Sequence, residues 1–154
     1  MSLSQYWLNK LVDANLRAQS ITFPATRHLA LFTVAPTRST TGTELTTGAG
    51  FTGYARQPFA ASLTNWSGTQ GAGTTAVSSG TNDYVTNNVA VTFSAALTAA
   101  WPGIVAWGFF DAATAGNLLE FGSIVNVAGT PVTRSFTIDD PVVFPIGALK
   151  SVLA

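Results

Sequence analysis

The sequence predicts a mainly β fold: an antiparallel β-sandwich or jelly roll of about seven or eight strands, with one N-terminal amphipathic helix, as a single domain over residues 1–154. Three observations predict it. Apolar residues recur at helical spacing only near the start of the chain. After Pro24 the pattern changes to short β-type runs punctuated by Gly, Pro, Asn and Thr, and it stays so to the end. At 154 residues the chain is long enough to bury a core without disulfides or metal, and it contains no cysteine.

The helix is placed at residues 4–18. Trp7, Leu8, Leu11 and Val12 form its apolar side, with Leu3 one turn earlier, while Gln5, Asn9, Lys10, Asp13 and Arg17 populate the other. Ser4 is positioned to accept a bond from an orphan N–H as N-cap. Such a helix either closes the base of its own domain or docks on a neighbouring subunit. The β-sandwich is assigned to 27–154. The run 28–34 is apolar on both alternating faces, as a central strand is. Further strands are predicted at 53–59, 62–66, 85–93, 103–110, 117–125, 132–138 and 148–153. In the fourth of these, Trp107 and Phe109 share one face, and Phe110 shares the other with Ile104.

Two stretches read as loops, 36–50 and 67–82. They are built almost wholly from Thr, Gly, Ser and Ala, which bury too little apolar area to offset the entropy of ordering them. Either they are mobile surface loops or they become ordered against neighbours, because hydroxyls form hydrogen bonds without the desolvation cost of charges.

Only 9% of residues are charged, seven Lys+Arg balance seven Asp+Glu, and 47% are hydrophobic; soluble domains carry about a quarter charged residues. A near-neutral exterior lacks the repulsion that keeps free proteins apart, so the chain is expected to work packed against copies of itself or a larger scaffold. The residues assigned to such an interface are Trp7 and Leu11 of the helix, Arg56, and Trp66 and Tyr84, which bracket the second loop. No secretion signal is expected, because Lys10 and Asp13 interrupt the first hydrophobic pattern. No membrane segment is expected either: the longest apolar stretch, 95–110, is too short and carries Pro102, Gly103 and Gly108.

Sites for chemistry are sparse. Gly48, Gly50 and Gly53 spell G-x-G-x-x-G, but no buried strand precedes them, no helix follows, and the next carboxylate is Asp83, so phosphate binding is rejected. The single histidine, His28, lies beside Leu29, Ala30, Leu31 and Phe32 and reads as a packed residue with one hydrogen bond rather than a general base. Asp139 and Asp140 precede Pro141 and read as a turn; Asp111 and Glu120 flank a hairpin-like turn and either share a site or cap that turn. Asn82, Asp83, Asn87 and Asn88 are the weak candidates for calcium. Arg17, Arg27, Arg38, Arg56 and Arg134 form no cluster in sequence, so direct nucleic-acid binding is not expected. No cofactor, metal or catalytic residue is assigned, and the chain is not expected to be an enzyme. Trp66, Tyr84, Trp101 and Trp107 could form a stacking platform for sugars, with Trp66 and Tyr84 the exposed pair.

Four motifs share a pattern: Leu-Asn-Lys-Leu-Val-Asp at 8–13, His-Leu-Ala-Leu-Phe-Thr-Val-Ala-Pro-Thr at 28–37, Thr-Gly-Tyr-Ala-Arg-Gln at 52–57, and Trp-Gly-Phe-Phe-Asp-Ala-Ala-Thr-Ala-Gly-Asn-Leu-Leu at 107–119. Together they resemble a family of small tailed-bacteriophage virion proteins whose members are often labelled tail fibre proteins. The resemblance runs over most of the chain. It implies a structural component of a virion, made in the host cytoplasm, and it carries no catalytic signature. Without coiled-coil heptads or a fibrous repeat, the chain is a poor stand-alone shaft. The role favoured by this reading is a capsid cement or decoration protein bridging major capsid subunits, as a homo-oligomer such as a symmetric dimer. The alternatives are a minor tail or fibre-associated protein, and a glycan-binding β-sandwich module.

Overall fold

The computed structural model describes residues 1–46, 53–71, 77–94, 96 and 99–152. In chain order its elements are β1 (Ser2–Leu3), α1 (Gln5–Arg17), β2 (Thr26–Val34), β3 (Thr43–Glu44), β4 (Gln57–Ala60), β5 (Tyr84–Thr86), β6 (Val91–Phe93), β7 (Trp101–Ile104), β8 (Ala106–Phe110), β9 (Leu118–Ser123), β10 (Arg134–Phe136), β11 (Val142–Phe144) and β12 (Lys150–Val152). The molecule is mainly β, with one helix and antiparallel strand pairs in a sandwich-like arrangement.

Strand β2 is the axis of a six-stranded sheet of order β1-β9-β8-β2-β3, and β4 shares its outer edge with β3. Along one edge β2 pairs with β8 from His28↔Phe110 to Phe32↔Ala106. Along the other, its first half pairs with β4 and its second half with β3. Leu29, Ala30, Leu31 and Phe32 are all fully buried, so this strand is covered on both faces, as its unbroken apolar run required. Leu29, Leu31, Trp107 and Phe109 face the larger core, where they meet Phe93, Trp101, Val142, Phe144 and Leu149. Those partners come from or adjoin three two-stranded sheets, β10-β7, β11-β6 and β12-β5, which form the second layer. Ala30, Phe32, Ala106, Phe110 and Leu118 form a smaller cluster on the opposite face.

Helix α1 begins as its sequence dictates. Ser4 Oγ accepts a hydrogen bond from the Trp7 backbone N–H at 3.2 Å and donates to the Leu118 carbonyl. The helix stops at Arg17 because Ala18 takes the left-handed conformation, with φ of 53°. Its inner face is narrower than its pattern suggested: Trp7 is buried against Leu3 and Leu119, with Leu8 and Leu11 beside them, but Val12 is exposed.

Several predicted strands differ from the observed ones for local reasons. The run 103–110 is two strands, because the backbone turns aside at Val105, which donates to Phe32 and accepts from Ile124. Ile104 therefore joins the larger core with Phe109, not the face of Phe110. The run 85–93 also divides, at Asn87. Residues 62–65 form a turn in which the N–H groups of Asn65 and Trp66 return to the Ser62 carbonyl, and only Trp66 bridges to another segment, at Asn87. The strands β1, β3 and β11 were not predicted: the first two are two residues long, and β11 is only three residues, following the Asp139–Pro141 stretch that reads as a turn and ending before Pro145. Pro58 and Pro102 are tolerated because β4 and β7 each pair along one edge. Gly48, Gly50 and Thr52, parts of both long loops, and Leu153 lie outside the described residues.

Candidate functional site

Arg56, read from sequence as an interface residue, is a clamp within the fold. Its Nε and Nη2 donate to the two carboxylate oxygens of Glu44 at 2.9 and 2.7 Å, and its Nη1 donates to the carbonyls of Ala112 and Ala115 at 2.8 and 2.6 Å. Tyr54 Oη accepts from the Leu31 N–H and donates to Glu44. Burial, followed by the neighbouring Glu44 carboxylate, drives the Tyr54 phenol far above its ordinary pKa, so it remains a donor. The 112–115 turn that Arg56 grips is closed from below by Asp111, whose carboxylate accepts from the Asn117 backbone and side-chain nitrogens. Asp111 is thus a turn cap and shares no site with Glu120.

Asn87, weighed as a calcium ligand, is completely buried and its side chain is fully occupied. Its amide nitrogen donates to Val89 and Pro145, and its amide oxygen accepts from Leu149. Among the described residues no group of His, Cys, Asp and Glu is arranged to hold a metal ion. His28 is half-buried, and its buried Nδ1 has no hydrogen-bond partner among the described residues. Burial, reinforced by the Arg56 charge, lowers its pKa.

The aromatic platform divides in two. Trp101 and Trp107 are buried in the core, whereas Trp66 and Tyr84 are only half-buried. Tyr84 lies on β5 with the Lys150 ammonium 3.6 Å from its ring centroid. Trp66 is held edge-on by Phe59 at 5.1 Å and by Phe109 at 5.7 Å. It lines a concave pocket of about 420 Å³ together with Arg27, Ser62, Ser67, Val85 and Ser151.

Beneath that pocket is the most deeply buried carboxylate. Glu120 Oε1 accepts from Arg27 Nη1 at 3.2 Å, and Oε2 accepts from Ser151 Oγ at 3.1 Å. Burial raises its pKa, and Arg27 and Ser151 only partly oppose the rise. Sequence reading missed this group because Arg27 and Ser151 lie 93 and 31 residues from Glu120, on opposite sides of it in the chain.

A second concavity, of about 580 Å³, runs between β10, β11 and the segment after β9. Trp107, Ile124, Phe136, Val142 and Phe144 form its apolar lining, and Arg134 is its single charge. Three more of its lining residues, Val125, Val127 and Val143, are exposed apolar side chains. Val127 is fully exposed, at 109% of its reference area. No helix among the described residues is long and apolar enough to cross a membrane.

The described residues thus hold a hydrogen-bonded frame around Arg56 and Asn87, a large groove between β10, β11 and the segment after β9, and a smaller, mostly apolar pocket over Arg27. No curated protein matches the chain. A family model described as Podophage GP4 fiber I protein gp80 matches residues 2–151. The match spans nearly all of the chain and agrees with the motifs shared with tail-fibre-labelled virion proteins, so the chain belongs to this family of phage virion structural proteins.

Proposed function

We propose that the protein is a non-enzymatic subunit of a phage fibre assembly, seated on neighbouring virion proteins through its apolar groove. The observation that carries the reading is the set of exposed Val125, Val127 and Val143 in a groove holding one charge, on a chain with only 9% charged residues. Exposed apolar surface of this kind is characteristic of docking faces. The description of the matching family supports placing that face in a fibre assembly. Partners are then other virion subunits, including further copies of this chain.

A capsid cement role is the second reading, and a specific observation favours it. The only helix among the described residues is 13 residues long, and the strands are two to nine residues, so the chain supplies no shaft. A cement protein bridges capsid subunits and resists the pressure of packaged DNA by burying neutral surface. Copy number separates the two. Quantitative mass spectrometry of purified virions should find tens of copies or fewer for a fibre subunit, whereas copies scaling with the major capsid protein establish the cement role.

A further inference from the structure

We propose that the pocket over Arg27 binds an acidic sugar, a carboxylate-bearing pyranose of an anionic polysaccharide. The inference rests on how Arg27 and Arg56 differ. Arg56 uses the Nε/Nη2 edge of its guanidinium to hold a carboxylate, that of Glu44, through two bonds. In Arg27 the same edge is empty: Nε is buried without a partner, and Nη2 makes no hydrogen bond among the described residues. An arginine fork is the side-chain geometry best matched to a carboxylate.

The opposite side of Arg27 is fixed. Nη1 donates to Glu120, whose other oxygen is held by Ser151, itself part of the pocket wall. A buried ion pair of this kind is weak as a source of stability, since apolar residues of similar volume serve as well or better. It does, however, hold the guanidinium and the serine hydroxyl in place on the pocket floor, which is what a preorganised ligand site needs. Because Nε is enclosed, bidentate contact requires the wall beside it to move; contact through Nη2 alone leaves that wall in place.

The remaining walls suit a sugar ring. The Trp66 indole supplies a flat apolar surface for the C–H face of a pyranose, and Ser62, whose Oγ accepts from the Asn65 N–H, keeps its own proton to donate to a ring oxygen, while the Ser67 and Ser151 hydroxyls are held by Thr86 and Glu120. The volume, about 420 Å³, lies in the range of small-ligand sites, roughly 300–1,000 Å³. The chemistry predicts preference for uronate-type sugars over neutral ones.

The test is titration of the purified full chain with a hyaluronan tetrasaccharide, which alternates glucuronate and N-acetylglucosamine, followed by the Arg27 Nε–H resonance in proton–nitrogen NMR spectra. A saturable downfield shift is expected, absent with maltotetraose. Arg27→Lys keeps the charge against Glu120 but removes the fork, and affinity should fall at least about tenfold. Ala61→Trp, at the exposed rim, should block binding to a similar degree with melting unchanged, which separates occlusion from misfolding. The proposal is overturned by no saturable shift up to about 10 mM, a ligand range already weaker than millimolar affinity. Equal binding of maltotetraose overturns the acidic preference, and equal displacement by acetate overturns the sugar. Since the isolated chain is used, these outcomes are independent of its location in the virion.

Discussion

The guanidinium of Arg56 lies 3.5 Å from the centroid of the Phe110 ring while two of its nitrogens hold the carboxylate of Glu44. One side chain thereby covers an aromatic residue of the smaller core, secures the β3 edge of the sheet, and clamps the turn after β8. Its side chain is 8% exposed, so the ion pair is shielded from solvent.

Removing Arg56 leaves Glu44 without its charge partner and frees the 112–115 turn. Arg56→Ala should destabilise the protein by about 3–5 kcal/mol, the usual consequence of breaking a buried pair. For a chain of this size that lowers the melting temperature by roughly 6–20 °C. Arg56→Lys should recover only part of the loss, because an ammonium cannot make the fork. Thermal unfolding by circular dichroism measures both, and a shift within 1–2 °C for Arg56→Ala, well below that range, would contradict the clamp.

Asn87 joins the end of β5, the turn into β6 and the segment before β12 through three side-chain hydrogen bonds. Asn87→Asp keeps the size but removes both donated bonds at neutral pH, leaving the Val89 and Pro145 carbonyls facing a carboxylate. The expected loss is about 2–4 kcal/mol by urea unfolding. Stability should partly return on acidification, as the protonated side chain regains a donor. An unchanged midpoint would show that the three segments hold together without it.

Glu120 and His28 set opposite pH slopes. The folded state raises the Glu120 pKa, so between the ordinary value of 4.5 and the folded value the native protein holds more protons than the unfolded chain. Its contribution therefore falls as pH rises through that window. The folded state lowers the His28 pKa, so the unfolded chain holds more protons between the folded value and 6.5, and this contribution is lost as pH falls through the window. Glu120→Gln should flatten the decline at rising pH, and His28→Gln should flatten the loss on acidification, both read from denaturant midpoints against pH. An identical profile for Glu120→Gln and the native chain would refute the assigned shift.

At the helix, Ser4 is both the N-cap and a tie to the Leu118 carbonyl. Ser4→Ala should cost about 1–2 kcal/mol, the upper half of the range for such caps. Amide exchange should rise mainly in α1 and β1; a uniform rise across the molecule would assign Ser4 a wider role.

Much of this fold was legible because local signals and burial agreed. The apolar run around Leu29–Phe32 marked the central strand, and Ser4 marked the helix start. What the sequence concealed was long-range pairing. Arg56 reads as a surface cation until Glu44 and Phe110 are brought to it, and Glu120 reads as a hairpin flank until Arg27 and Ser151 arrive from β2 and β12. Asn87 has the composition of a loop but lies in the interior, because it satisfies backbone groups that no strand pairing reaches. The groove was equally hidden, since Val125 and Val127 follow β9 while Val143 lies on β11, and they line one concavity only when β10 and β11 fold beside that segment.

The proposed docking role is tested most directly by the place of this chain in the particle. A virion reconstruction at side-chain resolution should show the groove between β10 and β11 covered by a neighbouring subunit, with Val127 and Val143 out of solvent. A virion in which the chain is present with that groove open to water, or from which the chain is missing altogether, would contradict the account.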